Sequence, residues 1–341
     1  MKTIKLGKTG LEISRVGFGG IPIQRLTEEE AIRVVQRCIN LGITFLDTAN
    51  GYSTSEERIG KAVAAMAGRR EEIVIATKSG ARDRATAWEH LELSLERLQT
   101  DYIDLWQLHN VATFEAYEQV TGPDGAMEAA HQALEAGKVR HIGVTSHSMD
   151  VAMDMVPSGH FETLQFPFNF VTNEAKDKLL PLVREHDLGF IAMKPFAGGM
   201  LDDANLAIKY LLQFDDVVPD PGIETSAEMK EIVGIVQDCA LTPQERQEIE
   251  RIRAEVGTRF CRRCEYCQPC PEDVRISLVI NLRSFSKRFA AESFSSGWIA
   301  RGVESARNCT ECGECEKKCP YHLPIREMIV ENLEFYDSTV S

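Results

Sequence analysis

Eight of the ten cysteines in this sequence lie in two short runs toward its C-terminal end. The first run reads "CRRCEYCQPCP" and the second reads "CTECGECEKKCP", and each places a proline directly after its fourth cysteine. Thiolates this dense, in a chain with no other sign of a secreted disulfide scaffold, are typical of metal ligands. The eight candidate ligands are Cys261, Cys264, Cys267, Cys270, Cys309, Cys312, Cys315 and Cys319.

The spacing of these cysteines favours iron and sulfide over a single metal ion. The second run, C-x2-C-x2-C-x3-C-P, resembles the iron–sulfur spacing of bacterial ferredoxins, and the first run has one residue fewer before its fourth cysteine. Structural zinc is the alternative, but zinc sites usually use pairs of cysteines. We therefore expect two 4Fe-4S clusters. Cys38 and Cys239 lie in apolar, helix-like stretches and are predicted to be small buried hydrophobic residues.

The distribution of charge argues against several classes of partner. The first 257 residues carry the net charge of −14, because acidic and basic side chains cancel over residues 258–341. Such an acidic chain is not expected to bind nucleic acid. We see no apolar run long enough to span a membrane, and "MKTIKLGKTG" lacks the apolar core of a signal peptide. Free cysteines and an oxygen-sensitive cluster fit a reducing compartment, so we expect a cytoplasmic protein.

Short apolar runs alternate with helical patterns over the first two thirds of the chain. Continuous apolar runs crossed by helices predict a parallel sheet, and eight such units predict a closed (β/α)8 barrel over residues 1–240. The alternative is an open doubly wound sheet, but no G-x-G-x-x-G opens a first helix. The strand candidates are "RVGFGG", "TFLDTA", "IVIATKS", "YIDLWQLH", "HIGVTSH", "TLQFPFNF", "GFIAMKPF" and "DVVPDPG".

Other segments complete the predicted organisation of the chain. Residues 1–15 are predicted to form a small hairpin around "GKTG". Residues 241–257 are predicted to form a polar linker helix, and residues 258–341 an α-rich, ferredoxin-like iron–sulfur domain. The loops after strands one, four and seven, "IPIQR", "NVATFEAYEQVTGPDG" and "AGGMLDDAN", are expected to determine which substrate is bound.

Polar residues follow three consecutive strands where a barrel of this kind places its chemistry, at the carboxyl ends. Strand two ends in Asp47 and its loop carries Tyr52, strand three ends in Lys78, and strand four ends in His109. A cation beside a phenol favours the phenolate, so Lys78 is expected to lower the pKa of Tyr52 from its free value near ~10. Tyr52 could then pass a proton to a carbonyl oxygen that His109 orients. None of these side chains can supply a hydride, which implies a cofactor.

The motifs "FLDTANGYSTSEERIGKAV", "IVIATKSG", "DYIDLWQLH" and "GKVRHIGVTSHS" closely resemble those of the aldo-keto reductases over residues 1–235. The resemblance implies an Asp, Tyr, Lys and His tetrad at the four residues above. It also implies that a nicotinamide dinucleotide reduces an aldehyde or ketone, or oxidises an alcohol. The nucleotide-binding residues implied by the resemblance are Gly20, Asp47, Thr145, Ser146, Gln165, Met193, Lys194 and Phe196.

The chain departs from better-known members of that family at positions around the nucleotide. Met193 stands where many members stack a tyrosine under the nicotinamide, and Thr145 and Ser146 stand where many have a Ser-Asn pair. Gly222 and Glu228 stand where NADPH-specific members place Lys and Arg. Because the loop after strand eight is acidic and would repel a phosphomonoester, we expect NAD(H) to be slightly favoured over NADP(H).

The cysteine region resembles that of a branch of aldo-keto reductase-like proteins that carry a ferredoxin-type domain. The clusters could act as structural supports, or as an electron conduit to a redox partner such as a ferredoxin. A third reading is an electron carrier in which the barrel is only a docking scaffold, and the intact tetrad argues against it. In two-cluster ferredoxins the fourth cysteine of each run ligates the other cluster. We therefore expect Cys319 to join the first run and Cys270 to join the second.

Overall fold

The computed structural model describes residues 1–66 and 68–340. The chain forms two compact units. The first contains Met1–Ala197 and Leu201–Thr242, and the second contains Gly198–Met200 and the chain from Pro243 onward. The helix predicted as a linker over residues 241–257 runs from Pro243 to Val256 and groups with the second unit.

The first unit contains a two-stranded antiparallel hairpin and an eight-stranded parallel sheet. The hairpin confirms the prediction for residues 1–15. The strands are β1 (Thr3–Lys5), β2 (Glu12–Ser14), β3 (Phe18–Gly19), β4 (Phe45–Asp47), β5 (Val74–Ser79), β6 (Ile103–Leu108), β7 (Val139–Thr145), β8 (Thr163–Pro167), β9 (Gly189–Met193) and β10 (Val217–Asp220).

The parallel sheet closes into a barrel, which confirms the predicted fold class. Each strand from β3 to β10 pairs with the next in chain order. At the seam between β3 and β10, Gly17 N donates to Pro219 O at 2.8 Å and Gly19 N donates to Pro221 O at 2.8 Å. These bonds satisfy the edges that an open sheet would leave exposed.

Helices surround this barrel, because each parallel connection must cross from one end of the sheet to the other. Five short 3-10 helices, at Gly7–Thr9, Pro22–Arg25, Arg70–Glu72, Val156–Ser158 and Glu174–Lys176, lie between the main elements. The α-helices are α1 (Glu28–Asn40), α2 (Ser55–Ala64), α3 (Arg84–Leu98), α4 (Phe114–Thr121), α5 (Ala126–Glu135), α6 (Met149–Met155), α7 (Leu179–Glu185), α8 (Ala204–Leu212) and α9 (Ser226–Gln237).

Helix α1 shows how local sequence signals set these elements. Thr27 and Glu30 form a capping box at its start, which satisfies backbone N–H groups that the helix leaves free. Cys38 is fully buried on its inner face, as predicted, whereas Cys239 after α9 is only half-buried. Helix α4 lies in the segment predicted as a loop after the fourth barrel strand, and Thr113 caps it by accepting from Ala116 N at 3.1 Å.

The barrel has an apolar interior that the hairpin closes at one end. Leu6 and Ile13 of the hairpin region pack in one cluster with Phe45, Leu105 and Val218 from the strands. A second and larger apolar cluster lies between the strands and the helices. With both faces of the sheet buried, the strands need the continuous apolar runs that the sequence contains.

The second unit is helical in the part that the structure describes, in agreement with the α-rich domain predicted for it. Its apolar core includes Phe285, Ile299, Leu323 and Ile329, and cysteines of both runs pack against it. The helices are α10 (Pro243–Val256), α11 (Ile276–Val279), α12 (Leu282–Ser286), α13 (Ala291–Ser295), α14 (Trp298–Ala306), α15 (Glu314–Lys318) and α16 (Ile325–Val340).

Among the helices described over residues 1–66 and 68–340, none combines the length and apolar character that crossing a membrane would need.

Candidate functional site

One layer of the barrel interior is polar, at the carboxyl ends of the strands. In barrels of this type, inward side chains from alternate strands share a layer. Alternate strands β4, β6, β8 and β10 supply Asp47, Gln107, Gln165 and Asp220, all buried. Three of these residues lie two positions after an apolar side chain of the barrel interior: Asp47 after Phe45, Gln107 after Leu105 and Asp220 after Val218. Side chains two residues apart on a strand point to the same side, so these polar groups also face the interior. The barrel therefore changes from apolar to polar at this level.

Lys78 on the neighbouring strand β5 is held by this layer. Its Nζ donates to Asp47 Oδ2 at 2.5 Å and to the backbone oxygen of Thr48 at 2.6 Å. Burial acts to lower the pKa of Lys78, but the charge of Asp47 and its hydrogen bond outweigh burial and raise that pKa above its ordinary value. Lys78 is therefore an ammonium group in a largely dry site.

Tyr52 and His109 complete the group of four that the sequence singled out. The Tyr52 ring lies 5.8 Å from the His109 ring, centroid to centroid, in an edge-on arrangement, and Lys78 Nζ lies 5.2 Å from the Tyr52 centroid. Both rings are half-buried, whereas Asp47 and Lys78 are buried beneath them. The fold thus brings the acid, phenol, amine and imidazole together, with the phenol and imidazole accessible to a small molecule.

Two further residues of this site, Gln107 and Asp220, were not singled out in the sequence. Gln107 Nε2 donates to Asp47 Oδ1 at 3.3 Å and to Gln165 Oε1 at 3.1 Å. Gln165 Nε2 donates to Asp47 Oδ2 at 3.3 Å and to Asp220 Oδ2 at 3.2 Å. Burial, followed by the charge of Asp47, raises the pKa of Asp220 well above its ordinary value. No alternation in the sequence marked Gln107 or Asp220, because the strands that carry them are buried on both faces.

The residues expected to hold the nucleotide also lie around the carboxyl ends of the strands. Ser146 and Gln165 are buried, and each already makes hydrogen bonds inside the protein, Ser146 through its hydroxyl to Ser148 O at 3.3 Å. Thr145 Oγ1 accepts from Asn110 N at 2.7 Å. Gly20 has no room for a side chain, because a Cβ there would lie 2.9 Å from Ser55 Oγ.

The remaining candidates present half-buried surface that fits a flat, weakly polar ring. Met193 and Phe196 are half-buried at the end of β9 and just beyond it. Lys194 lies between them with a left-handed backbone, φ 58°, and its Nζ is 2.8 Å from His147 Nε2. Half-buried apolar side chains at and just beyond the carboxyl end of β9 are chemically suited to the nicotinamide end of a dinucleotide.

One carboxylate of the acidic loop region after β10 stabilises the start of helix α9. Glu228 forms a capping box with Thr225 at the start of α9, and it also accepts from Glu224 N at 2.9 Å. Arg25 is the cation near this loop, with its Nε 3.7 Å from Glu224 Oε1. Gly222 and Glu228 are both exposed.

In the second unit, the four cysteines predicted to share the second cluster line one cavity. Cys267 and Cys270 of the first run line this cavity together with Cys309, Cys312 and Cys315 of the second. None of the ten cysteines, all of which lie among the described residues, forms a disulfide. Five sulfur donors from two distant segments line one cavity, and they include the four that one iron–sulfur cluster needs.

The other three cysteines of the first run are close to one another and to Cys319. Burial raises the pKa of Cys267 to about 12, and the nearby Cys261 and Cys264 add to that rise. Burial also raises the pKa of Cys264, and Cys319 is among the charges that raise it further. Thiolates are therefore costly here without a metal to neutralise them, which is the usual situation of buried metal ligands.

The two cysteine runs share a backbone pattern that the residue letters do not display. Arg263 and Glu311, each two residues after the first cysteine of its run, are left-handed with φ 60° and 56°. The residue after the second cysteine is also left-handed in both runs, φ 63° and 77°. Asp273 and His322 repeat the match three residues after the fourth cysteine, with φ 52° and 51°. The two runs are thus local copies of one loop.

In the part of the chain that the structure describes, no three His, Cys, Asp or Glu side chains are arranged to hold a single metal ion. Zinc would need four ligands around one point, about 2.3 Å away for sulfur. A cube of four irons takes one cysteine at each iron, so its ligands stand further apart.

Comparison with known proteins agrees with both parts of this description. Residues 15–211 match the Aldo/keto reductase family, and residues 260–324 match the 4Fe-4S dicluster domain. The second match includes all eight cysteines of the two runs.

Two known proteins are similar to this chain over about 60% of its length. The uncharacterized oxidoreductase YqkF of Bacillus subtilis is 32% identical over 220 residues, which is 60% of this chain and 68% of that protein. The L-galactose dehydrogenase of Arabidopsis thaliana is 30% identical over 214 residues, 58% of this chain and 66% of that protein.

Solved structures share the barrel. The aldo-keto reductase AKR11C1 of Bacillus halodurans, in its holo form, is 28% identical with a TM-score of 0.65, over 74% of this chain and 96% of that one. An aldo/keto reductase of Klebsiella pneumoniae solved with NADP and acetate has the same fold at 22% identity, with a TM-score of 0.63 over 74% of this chain and 95% of that one. Because the family match extends over more than half of its residues, this chain belongs to the aldo/keto reductase family, as an oxidoreductase of that type that also carries a 4Fe-4S domain.

Proposed function

We propose that this protein reduces an aldehyde or ketone, or oxidises the corresponding alcohol, with a nicotinamide dinucleotide. One observation carries the proposal: a buried Lys78 lies 2.5 Å from Asp47 and 5.2 Å from the Tyr52 ring, which in turn meets His109. This arrangement suits proton transfer at a small, half-buried opening. The bound nicotinamide supplies the hydride to the carbonyl carbon.

The chain's own residues supply the proton and the orientation. In reduction, Tyr52 gives its phenolic proton to the carbonyl oxygen, and the positive charge of Lys78 stabilises the phenolate that remains. His109 donates a hydrogen bond to the same oxygen and fixes its position against Tyr52. Asp47 holds Lys78 in place and keeps it charged. In alcohol oxidation the same residues act in the opposite sense, with the Tyr52 phenolate accepting the proton.

We propose that the nicotinamide packs against Met193 and Phe196, beside Thr145 and Lys194. Gly20 and Asp47 shape the pocket floor, and Asp47 acts through Lys78. Ser146 and Gln165 remain candidates for the carboxamide, and each would exchange an internal hydrogen bond for one to the nucleotide. We further propose that NADH binds at least as well as NADPH, because Glu228 is exposed in the acidic loop where NADPH-specific relatives carry a cation.

We propose two 4Fe-4S clusters, each held across both runs. The first cluster would use Cys261, Cys264, Cys267 and Cys319, and the second Cys309, Cys312, Cys315 and Cys270. The shared cavity around Cys270 and the nearness of Cys319 to Cys264 support this exchange. The matching left-handed residues of the two runs support it as well, because two copies of one loop can each offer a fourth cysteine to the other.

We propose that these clusters exchange electrons with a redox partner such as a ferredoxin. Two clusters exceed what a small structural support requires, and each passes one electron at a time, whereas hydride transfer moves two. The structural alternative makes a different prediction for Cys309→Ser in the full chain. If the cluster is purely structural, its loss in Cys309→Ser should make the second unit sensitive to proteolysis. If the cluster has a redox role, Cys309→Ser should keep its resistance to proteolysis but lose electron exchange with a viologen dye.

The principal test uses the full chain purified without oxygen. We expect eight irons and eight sulfides per chain for two 4Fe-4S clusters. We expect nucleotide oxidation that depends on an added aldehyde or ketone and balances the alcohol formed. A protein that binds nicotinamide dinucleotide yet turns over no carbonyl or alcohol from a broad panel would refute the enzymatic proposal. A colourless protein containing zinc would refute the clusters.

A further inference from the structure

Two carboxyl groups and one ammonium group share the buried polar layer of the barrel. Asp220 closes β10 and is only 6% exposed. The Gln165 amide nitrogen joins it to Asp47, at 3.2 Å from Asp220 Oδ2 and 3.3 Å from Asp47 Oδ2. Lys78 Nζ bonds to Asp47 and to a backbone oxygen. The layer thus contains one more acid than it has cations.

Among the described residues, the charged side chains that act most strongly on Asp220 are Asp47 of β4 and Lys78 of β5. Gln165 of β8 is a neutral amide, and Met193 of β9 is its apolar partner in register. On the remaining side, a Cβ at Gly17 would lie 2.8 Å from Asp220 Oδ1, so the absence of a side chain there makes room for the carboxyl group.

The oxygen Oδ1 of Asp220 shows which form fits this environment. It is buried, and no donor reaches it from the described residues. A buried, ionised carboxylate with an unsatisfied oxygen beside a second carboxylate is strongly unfavourable. A protonated Asp220 removes the repulsion between the two carboxylates and supplies a hydrogen for the hydrogen bond between the Asp220 and Asp47 side chains.

We propose that Asp220 is a positioning residue that stays protonated in the working enzyme and donates its carboxyl hydrogen to Asp47. Asp47 and Lys78 then form a balanced pair of charges. The effect of Asp220 on the rate rests on the proposed carbonyl reduction, whereas the protonation of Asp220 does not depend on that function. If Asp220 ionised, its negative charge would oppose that of Lys78 and weaken the stabilisation of a Tyr52 phenolate. Reduction would then slow as the pH rises through the ionisation of Asp220.

Infrared spectroscopy of the full chain tests the protonation directly. We expect a carbonyl band of a protonated carboxylic acid at neutral pH, lost in Asp220→Asn and retained in Asp216→Asn. Asp216 is a suitable control, because Arg184 binds both its oxygens, at 2.6 and 2.8 Å, and lowers its pKa. No such band in the wild type, or a band that persists in Asp220→Asn, would overturn the proposal. If Asp220→Asn does not fold, the wild-type protein alone still tests the protonation, because its carbonyl band should be lost as the pH rises.

The rate of reduction as a function of pH tests the coupling to Tyr52. We expect the alkaline decline of the wild-type rate to move to higher pH in Asp220→Asn, because an amide cannot ionise, and to be unchanged in Asp216→Asn. A role confined to packing would change the rate equally at every pH. If the rate of reduction declines over the same alkaline pH range in the wild type, Asp220→Asn and Asp216→Asn, the proposed coupling of Asp220 to Tyr52 is overturned. If no carbonyl is reduced at all, the proposed function fails, and the infrared result still decides whether Asp220 holds its proton.

Discussion

Lys78 and Asp47 form an ion pair inside the barrel, with Nζ 2.5 Å from Oδ2 and side-chain exposures of 2% and 4%. Their strands β5 and β4 are neighbours, so the pair spans one ladder of the sheet. A pair this buried is costly to desolvate and is weak evidence for stability in itself. Its geometry instead suits a site in which one cation must stay charged next to Tyr52.

Replacing Lys78 with methionine should destabilise the protein strongly. Asp47 would lose its cation and remain buried, and breaking such a pair from one side costs about 3–5 kcal/mol. Urea unfolding followed by circular dichroism measures the change. The matched control is Lys61→Met, whose exposed pair with Glu28 at 2.6 Å should contribute at most about 1 kcal/mol. Equal effects for the two variants would mean that the buried pair has no special role in stability.

Tyr52→Phe should abolish carbonyl reduction and leave nucleotide binding nearly intact. The phenol is proposed as the proton donor, and acid–base terms of this kind are worth about 10²–10⁴-fold in rate. Steady-state kinetics and nucleotide titration measure the two effects separately. Tyr102→Phe is the control, since its buried hydroxyl has no hydrogen-bond partner among the described residues and lies just before β6, at the opposite end of the strand from His109. A Tyr52→Phe enzyme that kept more than about a tenth of the wild-type rate would require another proton donor.

NADH should bind at least as well as NADPH, and Glu228→Gln should strengthen the binding of NADPH alone. The glutamine amide keeps an acceptor for the α9 cap but removes the negative charge near the proposed position of the 2′-phosphate. Removing this repulsion between two exposed charges should strengthen NADPH binding by roughly 0.5–1 kcal/mol. Fluorescence titration with both nucleotides measures this, with the exposed Glu231→Gln on the same helix as control. A clear preference of the wild type for NADPH would contradict the proposal. Arg25→Ala would then show whether that residue binds the phosphate.

Cys319→Ser should perturb the cluster of the first run, although the substitution lies in the second run. Cross-ligation predicts this because Cys319 would be the fourth ligand to the cluster of Cys261, Cys264 and Cys267. Electron paramagnetic resonance of the reduced protein can follow the two clusters separately. Cys239→Ser, outside both runs, should leave both signals unchanged. If only the cluster of the second run changes, each run closes on its own cluster and the assignment is wrong.

The sequence by itself determined the order of the strands and the rim on which Asp47, Lys78 and His109 would meet. Eight apolar runs that alternate with helical segments predict a parallel barrel, and the carboxyl ends of the strands in such a barrel lie at one rim. The eight ligand cysteines were equally readable, because their spacing is local. Helix α4 escaped prediction, since its eight residues bury only Val120 and offer little periodicity.

Tertiary structure alone decided which side chains share a layer and which cysteines share a cavity. Strands buried on both faces carry no alternation to show which residues face the barrel axis, so Gln107 and Asp220 could not be assigned inward from the sequence. Their meeting with Asp47 depends on the tilt and stagger with which the barrel closes. Cys270 and Cys309 likewise face one cavity only because the segment between them folds back. Spacing along a chain fixes contacts within a turn or a strand, whereas contacts between distant segments depend on how all the elements pack together.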